Sequence, residues 1–189
     1  NATVIYVTQD YKEAMAFGDQ IAVINGGVIQ QIGTPEAIYL TPANVEIARL
    51  FGDPVINLLD VTLQKDASGV FALISEKRID LDASYASVVG LECCLGIRPE
   101  SVLFVDRDHK SAVPVTVEAE TPLNEKTVNL CLTARGREIM ASRPSGTQGP
   151  AGGEAFVAIE AASALIFDKQ TGALIETNST DISERGKVT

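Results

Sequence analysis

The chain has no tryptophan, one histidine and three cysteines, and aromatic residues make up only 5% of it. Each shortage excludes something. A surface for single-stranded nucleic acid needs stacking aromatics along a positive groove. Here 15 basic residues stand against 25 acidic ones, a net charge of −10, so tight binding to nucleic acid or anionic lipid is not expected. The cysteines are odd in number, and Cys93 and Cys94 are adjacent in the apolar run LECCLGI. That is neither a disulfide framework nor a zinc spacing; free, buried thiols of a cytosolic protein are expected. His109 sits between charged neighbours, Asp106 and Asp108 among them, with no second His or Cys nearby, so no metal site is expected. Ser142 and Ser145 lack a nucleophile-elbow context, which excludes a hydrolase triad. No apolar run reaches the roughly 18 residues of a membrane span, and no signal peptide is visible.

What the chain does have is enough apolar residue, 46% over 189 positions, for one domain or two small ones. Residues 3–7 (TVIYV) are apolar and β-branched, the pattern of a strand buried on both faces. Asp10 can cap a helix from Tyr11, with Glu13 completing a capping box and Gly18 stopping it. Residues 20–24 give a second strand, so the spacing predicts a strand, helix, strand unit of a parallel α/β sheet. In such sheets ligands sit beyond the carboxyl ends of the strands, and Gln9 lies at the end of the first. Asn25-Gly26-Gly27 predicts a hairpin turn into residues 28–32. Thr34-Pro35-Glu36 opens a helix, and Thr41-Pro42 repeats the signal for another, ended by Gly52-Asp53-Pro54.

From Val55 the periodicity changes. Short β-rich runs recur over 55–63, 70–74, 91–97, 102–105, 113–119, 127–133, 139–142 and 155–159, separated by turn residues. That spacing predicts a barrel or sandwich. Val115, Val117 and Ala119 alternate with Thr116, Glu118 and Glu120, so the first set is expected inside and the second in water. Residues 145–153 read as a mobile Gly/Pro loop and 177–189 as a polar tail.

The run YVTQDYKEAMAFGDQIAVINGGVIQQIGTPEAIYLTPAN resembles the end of the ATP-hydrolysing subunit of ABC transporters, in the sugar and polyol (maltose/glycerol-type) importer branch. Asp10, Glu13, Ala14 and Met15 match the family pattern; Gln9 stands where the family has its switch histidine. LGIRPESV and LIFDKQTGALI resemble two stretches of the family's OB-type (TOBE) regulatory domain, while EAETPLNEKTV departs from its usual E-x-L-G. The resemblance implies a fold: residues 1–52 as an α/β tail ending an ABC ATPase domain, and 53–176 as an all-β, OB-like regulatory barrel. It also implies that the phosphate loop, signature motif and Mg-binding strand lie ahead of Asn1. The intact subunit would use ATP and Mg; this part alone would need no cofactor and would not be an enzyme. Its partners would be a second ATP-binding subunit and membrane permease subunits, at the inner face of the cell membrane.

Three residues stand out as sites. A Gln9 amide can donate to a γ-phosphate but cannot titrate; the plainer alternative is a polar strand end. Arg98 and Glu100 are candidates for regulator binding or a dimer contact, against a surface ion pair at a turn. Asp168, Thr171 and Gly172 read as a turn. Two other functions remain open: a stand-alone barrel binding an anion or sugar, and a single-stranded nucleic-acid-binding OB module.

Overall fold

A computed structural model describes residues 2–150 and 152–176. The tail expected over 177–189 lies outside the described residues, as does residue 151 of the 145–153 loop.

The first part is three short helices and a hairpin. Helix α1 (Tyr11–Phe17) starts at Asp10, whose carboxylate accepts from the Lys12 amide at 2.8 Å. The reciprocal half of the capping box is not made. Glu13 instead accepts from the Thr8 and Tyr6 hydroxyls, at 2.6 and 3.1 Å. Strands β1 (Ile21–Asn25) and β2 (Val28–Gly33) pair antiparallel. Gly26 and Gly27, at φ 58° and 77°, supply the left-handed pair that a two-residue turn requires. Helix α2 (Pro35–Leu40) is capped by Thr34, as expected. Helix α3 (Val45–Leu50) begins later than Thr41-Pro42 suggests. Asn44 caps it, accepting from the Ile47 amide at 3.0 Å. The Gln31 side chain holds the intervening backbone, donating to Thr41 O (2.9 Å) and accepting from the Ala43 amide (2.8 Å).

Two sequence expectations are corrected here. Residues 3–7 form no strand, and Val4, Ile5 and Val7 are exposed. A doubly buried strand exists only between neighbours that take its N–H and C=O groups, and among the described residues none pairs with it. Among the described residues no parallel sheet forms either: β1 and β2 form a two-stranded antiparallel sheet. The short α/β segment therefore packs its helices on a hairpin, around Ile21, Val23, Ile38, Ile47 and Phe51.

The rest is all β, an OB-type barrel. Its strands are β3 (Asn57–Thr62), β4 (Gln64–Asp66), β5 (Gly69–Ile74), β6 (Lys77–Leu81), β7 (Glu92–Ile97), β8 (Val102–Phe104), β9 (Val113–Pro122), β10 (Lys126–Thr133), β11 (Glu138–Pro144), β12 (Gly153–Ile159) and β13 (Leu165–Asp168). They make three antiparallel sheets, ordered β11-β10-β9-β12-β8, β13-β7-β3 and β4-β5-β6. All eight expected β runs are strands. The sequence hid β6 because its hairpin turn uses Ser75 and Glu76, at φ 47° and 69°, with no glycine to mark it.

Alternation decides the core. In β10 every second residue is buried: Thr127, Asn129, Cys131 and Thr133. In β9 the expected alternation holds through Val117, which packs on the barrel core, then fails. A bulge between Leu130 and Cys131 shifts the β9–β10 register, and a shift of one residue exchanges the faces. Ala119 is consequently exposed, while Glu120 faces Asn129 and accepts its Nδ2–H at 3.0 Å. The sheet β13-β7-β3 is covered on both sides. Leu59, Val61, Cys93, Leu95, Ile97 and Ile166 face the barrel core. Leu165 and Phe167 face the other way, with Ile56, onto Ala48 of α3.

Candidate functional site

Gln9 lies in a bend directly before α1, with its side chain exposed. The local chain that positions it is the Thr8–Glu13–Asp10 network rather than a strand end. One exposed amide is not a phosphate cradle, which takes a row of backbone N–H groups from a glycine-rich loop.

Arg98 and Glu100 flank Pro99, at the end of β7, where the barrel meets the helices. Arg98 is not at the surface: it is 5% exposed. Its Nη1 donates to Ala48 O (2.8 Å) and Phe51 O (2.7 Å), and its Nη2 to Tyr39 O (2.8 Å). The guanidinium also lies 4.0 Å from the centre of the Tyr39 ring. Glu100 does not pair with it but accepts from the Tyr39 hydroxyl. Burial pulls the Arg98 pKa down, and burial followed by the Glu100 contact pushes Tyr39 up. Tyr39 carries no sequence signal; its ring and its carbonyl both serve Arg98, which only the fold could reveal.

The turn read from Asp168, Thr171 and Gly172 forms as expected. Asp168 Oδ1 accepts from the Gln170 amide (2.9 Å), the Thr171 amide (2.7 Å) and the Thr171 hydroxyl (2.8 Å), and Gly172 takes φ 71°. It edges an open groove of about 1230 Å³ that also meets Arg49, Asp60, Cys94, Arg137 and Lys169. Most of these charges are already engaged. Lys169 Nζ lies 3.1 Å from Asp60, and Arg137 donates to Asp60 O at 2.9 Å. The thiols are quiet: burial raises Cys93 and Cys94 and pushes Cys131 up to about 11, and a protonated thiol is neither nucleophile nor good metal ligand. Among the described residues no three His, Cys, Asp or Glu side chains gather into a metal-binding group.

Four carboxylates are held below the ordinary range of ~3.9–4.3: Asp53 by Lys12, Asp66 by Arg78, Glu120 by Asn129 and then Arg143, and Asp168 by the Thr171 N–H. A carboxyl whose pKa is depressed by folding stabilises the fold above its unfolded value and loses that contribution as pH falls through the folded value. The urea midpoint should therefore be level from about pH 7 to 5 and fall below about pH 4. A midpoint that stays level or rises down to pH 3 contradicts these assignments.

The fold defines a class: short helices and a hairpin joined through a buried arginine to an OB-type barrel. No protein-family model matches the chain, but curated relatives do. It is 35% identical over 184 residues to the trehalose/maltose import ATP-binding protein MalK of Thermococcus litoralis, covering 92% of this chain and 48% of that one. It is 34% identical over 172 residues to the sn-glycerol-3-phosphate import ATP-binding protein UgpC of Salmonella typhi, covering 90% and 47%. An uncharacterized ABC transporter ATP-binding protein of Sinorhizobium fredii is 30% identical over 173 residues, covering 92% and 45%. Over nine-tenths of its length the chain is thus similar to these ATP-binding proteins. It spans about half the length of the curated relatives it matches. A solved structure of the cytoplasmic molybdate-binding protein ModG covers 58% of the chain at 16% identity and a TM-score of 0.46, a distant likeness. Among the described residues no helix is long and apolar enough to cross a membrane.

Proposed function

We propose that the chain is the carboxyl-terminal part of the ATP-hydrolysing subunit of an ABC importer for a sugar, polyol or glycerol-type solute. Residues 1–52 close its ATPase domain, 53–176 are its regulatory and dimerisation barrel, and 177–189 are a tail. The observation that carries this reading is the homology to import ATP-binding proteins along nine-tenths of the chain. The exposed apolar side chains of Val4, Ile5 and Val7 agree with it, since a β-branched run of that kind suits a sheet with strands on both sides. The partners are a second ATP-binding subunit and membrane permease subunits, and the complex sits on the cytoplasmic face of the membrane. ATP and Mg act in the intact subunit; Gln9 donates to the γ-phosphate there through its amide. The chain alone does not turn over ATP.

The test is a chimera in which residues 1–189 replace the matching half of a UgpC or MalK relative, assayed for ATP hydrolysis in the reconstituted transporter. The chimera should hydrolyse ATP. Gln9→His should raise the rate and Gln9→Ala lower it, by up to about 10²–10³ for loss of one preorganised contact. A folded, assembled chimera without activity sinks the importer reading. Equal rates for Gln, His and Ala at position 9 sink the phosphate contact alone.

A further inference from the structure

Arg98 is a cation taken out of water without a counterion. Among the described residues no carboxylate makes an ion pair with it, and its Nε finds no partner. Burying such a charge is costly unless its donors are met. What it receives is three main-chain carbonyls, from Tyr39 in α2, Ala48 in α3 and Phe51 directly after α3, together with the face of Tyr39. The chain leaves room for it: a methyl group on Gly52 would stand 2.7 Å from Nη1 and 3.2 Å from Pro54 O. The segment between the two parts, residues 51–56, has neither helix nor strand. By its backbone alone it would serve as a hinge.

We propose that Arg98 is a positioning residue that locks this hinge, so that helices α2 and α3 and the barrel move as one body. A planar guanidinium bonded on two of its nitrogens and stacked on a ring fixes orientation as well as distance, which a point charge on a flexible stem does not. The apolar contact of Ala48 with Ile56, Leu165 and Phe167 holds the parts together. Arg98 sets the angle at which they are held. A displacement imposed on either part is carried to the other instead of being absorbed over 51–56. A second tie runs nearby: Asp53 bridges Lys12 of α1, at 2.9 Å, and Lys126 of β10, whose Nζ also reaches its carbonyl. Lys12 and Asp53 are well exposed and Lys126 is half-buried, so the tie adds little by itself. The inference concerns the two parts of this chain and is independent of the importer reading.

Hydrogen exchange on the 189-residue chain tests it, comparing the parent with Arg98→Met, Arg98→Lys and Gly52→Ala. In the parent, the amides of α3 should be as protected as those of β7. Arg98→Met should speed exchange across 34–52 at least ~10-fold while β9, β10 and β12 keep their protection, the signature of a local opening. Lys should restore it only in part. Gly52→Ala, which keeps the charge but displaces the guanidinium, should loosen the same segment. Unchanged exchange over 34–52 in Arg98→Met, or a rise shared equally by the barrel, overturns the proposal. Should Arg98→Met fail to fold, Gly52→Ala and Tyr39→Ala give the same reading: selective loosening of 34–52 upholds it, and its absence in both overturns it.

Discussion

Phe167→Ala lowers the unfolding free energy of the chain by about 3–5 kcal/mol, read from urea titration of far-UV circular dichroism. Phe167 is fully buried in β13, on the side of the sheet turned away from the barrel core. Its ring fills a space made by an absent side chain: a methyl group on Gly96 would lie 2.8 Å from the ring and 3.1 Å from Ile56. Ala48 of α3, Ile56 and Leu165 complete the walls. Truncation removes a large apolar side chain and leaves a void that two packed strands cannot close by small shifts, so transfer and cavity costs add. Because the void lies between barrel and helices, the loss should be accompanied by weaker protection of α3. Phe167→Leu should recover part of the stability. A loss below about 1.5 kcal/mol for Phe167→Ala would show that the site collapses or is wet.

Asn57→Ala should cost about 3 kcal/mol, from three hydrogen bonds of roughly 1 kcal/mol each and the groups they leave unpaired. Asn57 is 6% exposed at the start of β3. Its Nδ2 donates to Met140 O at 2.8 Å and Ile97 O at 3.2 Å, and its Oδ1 accepts from the Met140 amide at 2.7 Å. Strand β3 is the edge of one sheet and β11, which carries Met140, the edge of another. The side-chain amide thus makes the pair of bonds that a neighbouring strand would make and closes the barrel at that seam, helped by Arg137 donating to Asp60 O. Asn57→Asp keeps the shape but turns a carboxylate toward two carbonyls. It should destabilise at neutral pH and recover as the pH is lowered toward the pKa of the new group, before the acid loss of the other carboxylates begins. An Asn57→Asp protein as stable as the parent at pH 7 would contradict this account of the seam.

The two substitutions show where sequence reading ended. Composition and charge argued against tight binding to nucleic acid or anionic lipid. Turn chemistry placed the hairpin at Gly26-Gly27, the helix start at Thr34-Pro35 and the turn at Asp168 to Gly172, because these conformations are decided within four or five residues. Eight β runs were legible for the same reason, through local alternation. The resemblance carried by the first 44 residues and by LGIRPESV and LIFDKQTGALI pointed to the ATP-binding proteins that the curated relatives are. Gln9 was legible as a position, though its environment was not.

Only the tertiary structure decided the rest. A strand is a property of its neighbours, so residues 3–7 could read as β and still have no partner among the described residues. The β9–β10 bulge, one extra residue in β9, turned Ala119 out and Glu120 toward Asn129, a reversal that only the pairing with the partner strand reveals. Arg98 read as a regulator or dimer contact, or else as half of a surface ion pair at a turn, yet it is buried because three carbonyls 47 to 59 positions away converge on it. Asn57 looked like any polar residue at a strand start and closes the barrel across 83 positions. Local chemistry is written in adjacent residues. The partner that satisfies a buried charge or an open sheet edge is set by where distant backbone arrives, and that is settled by packing the whole chain.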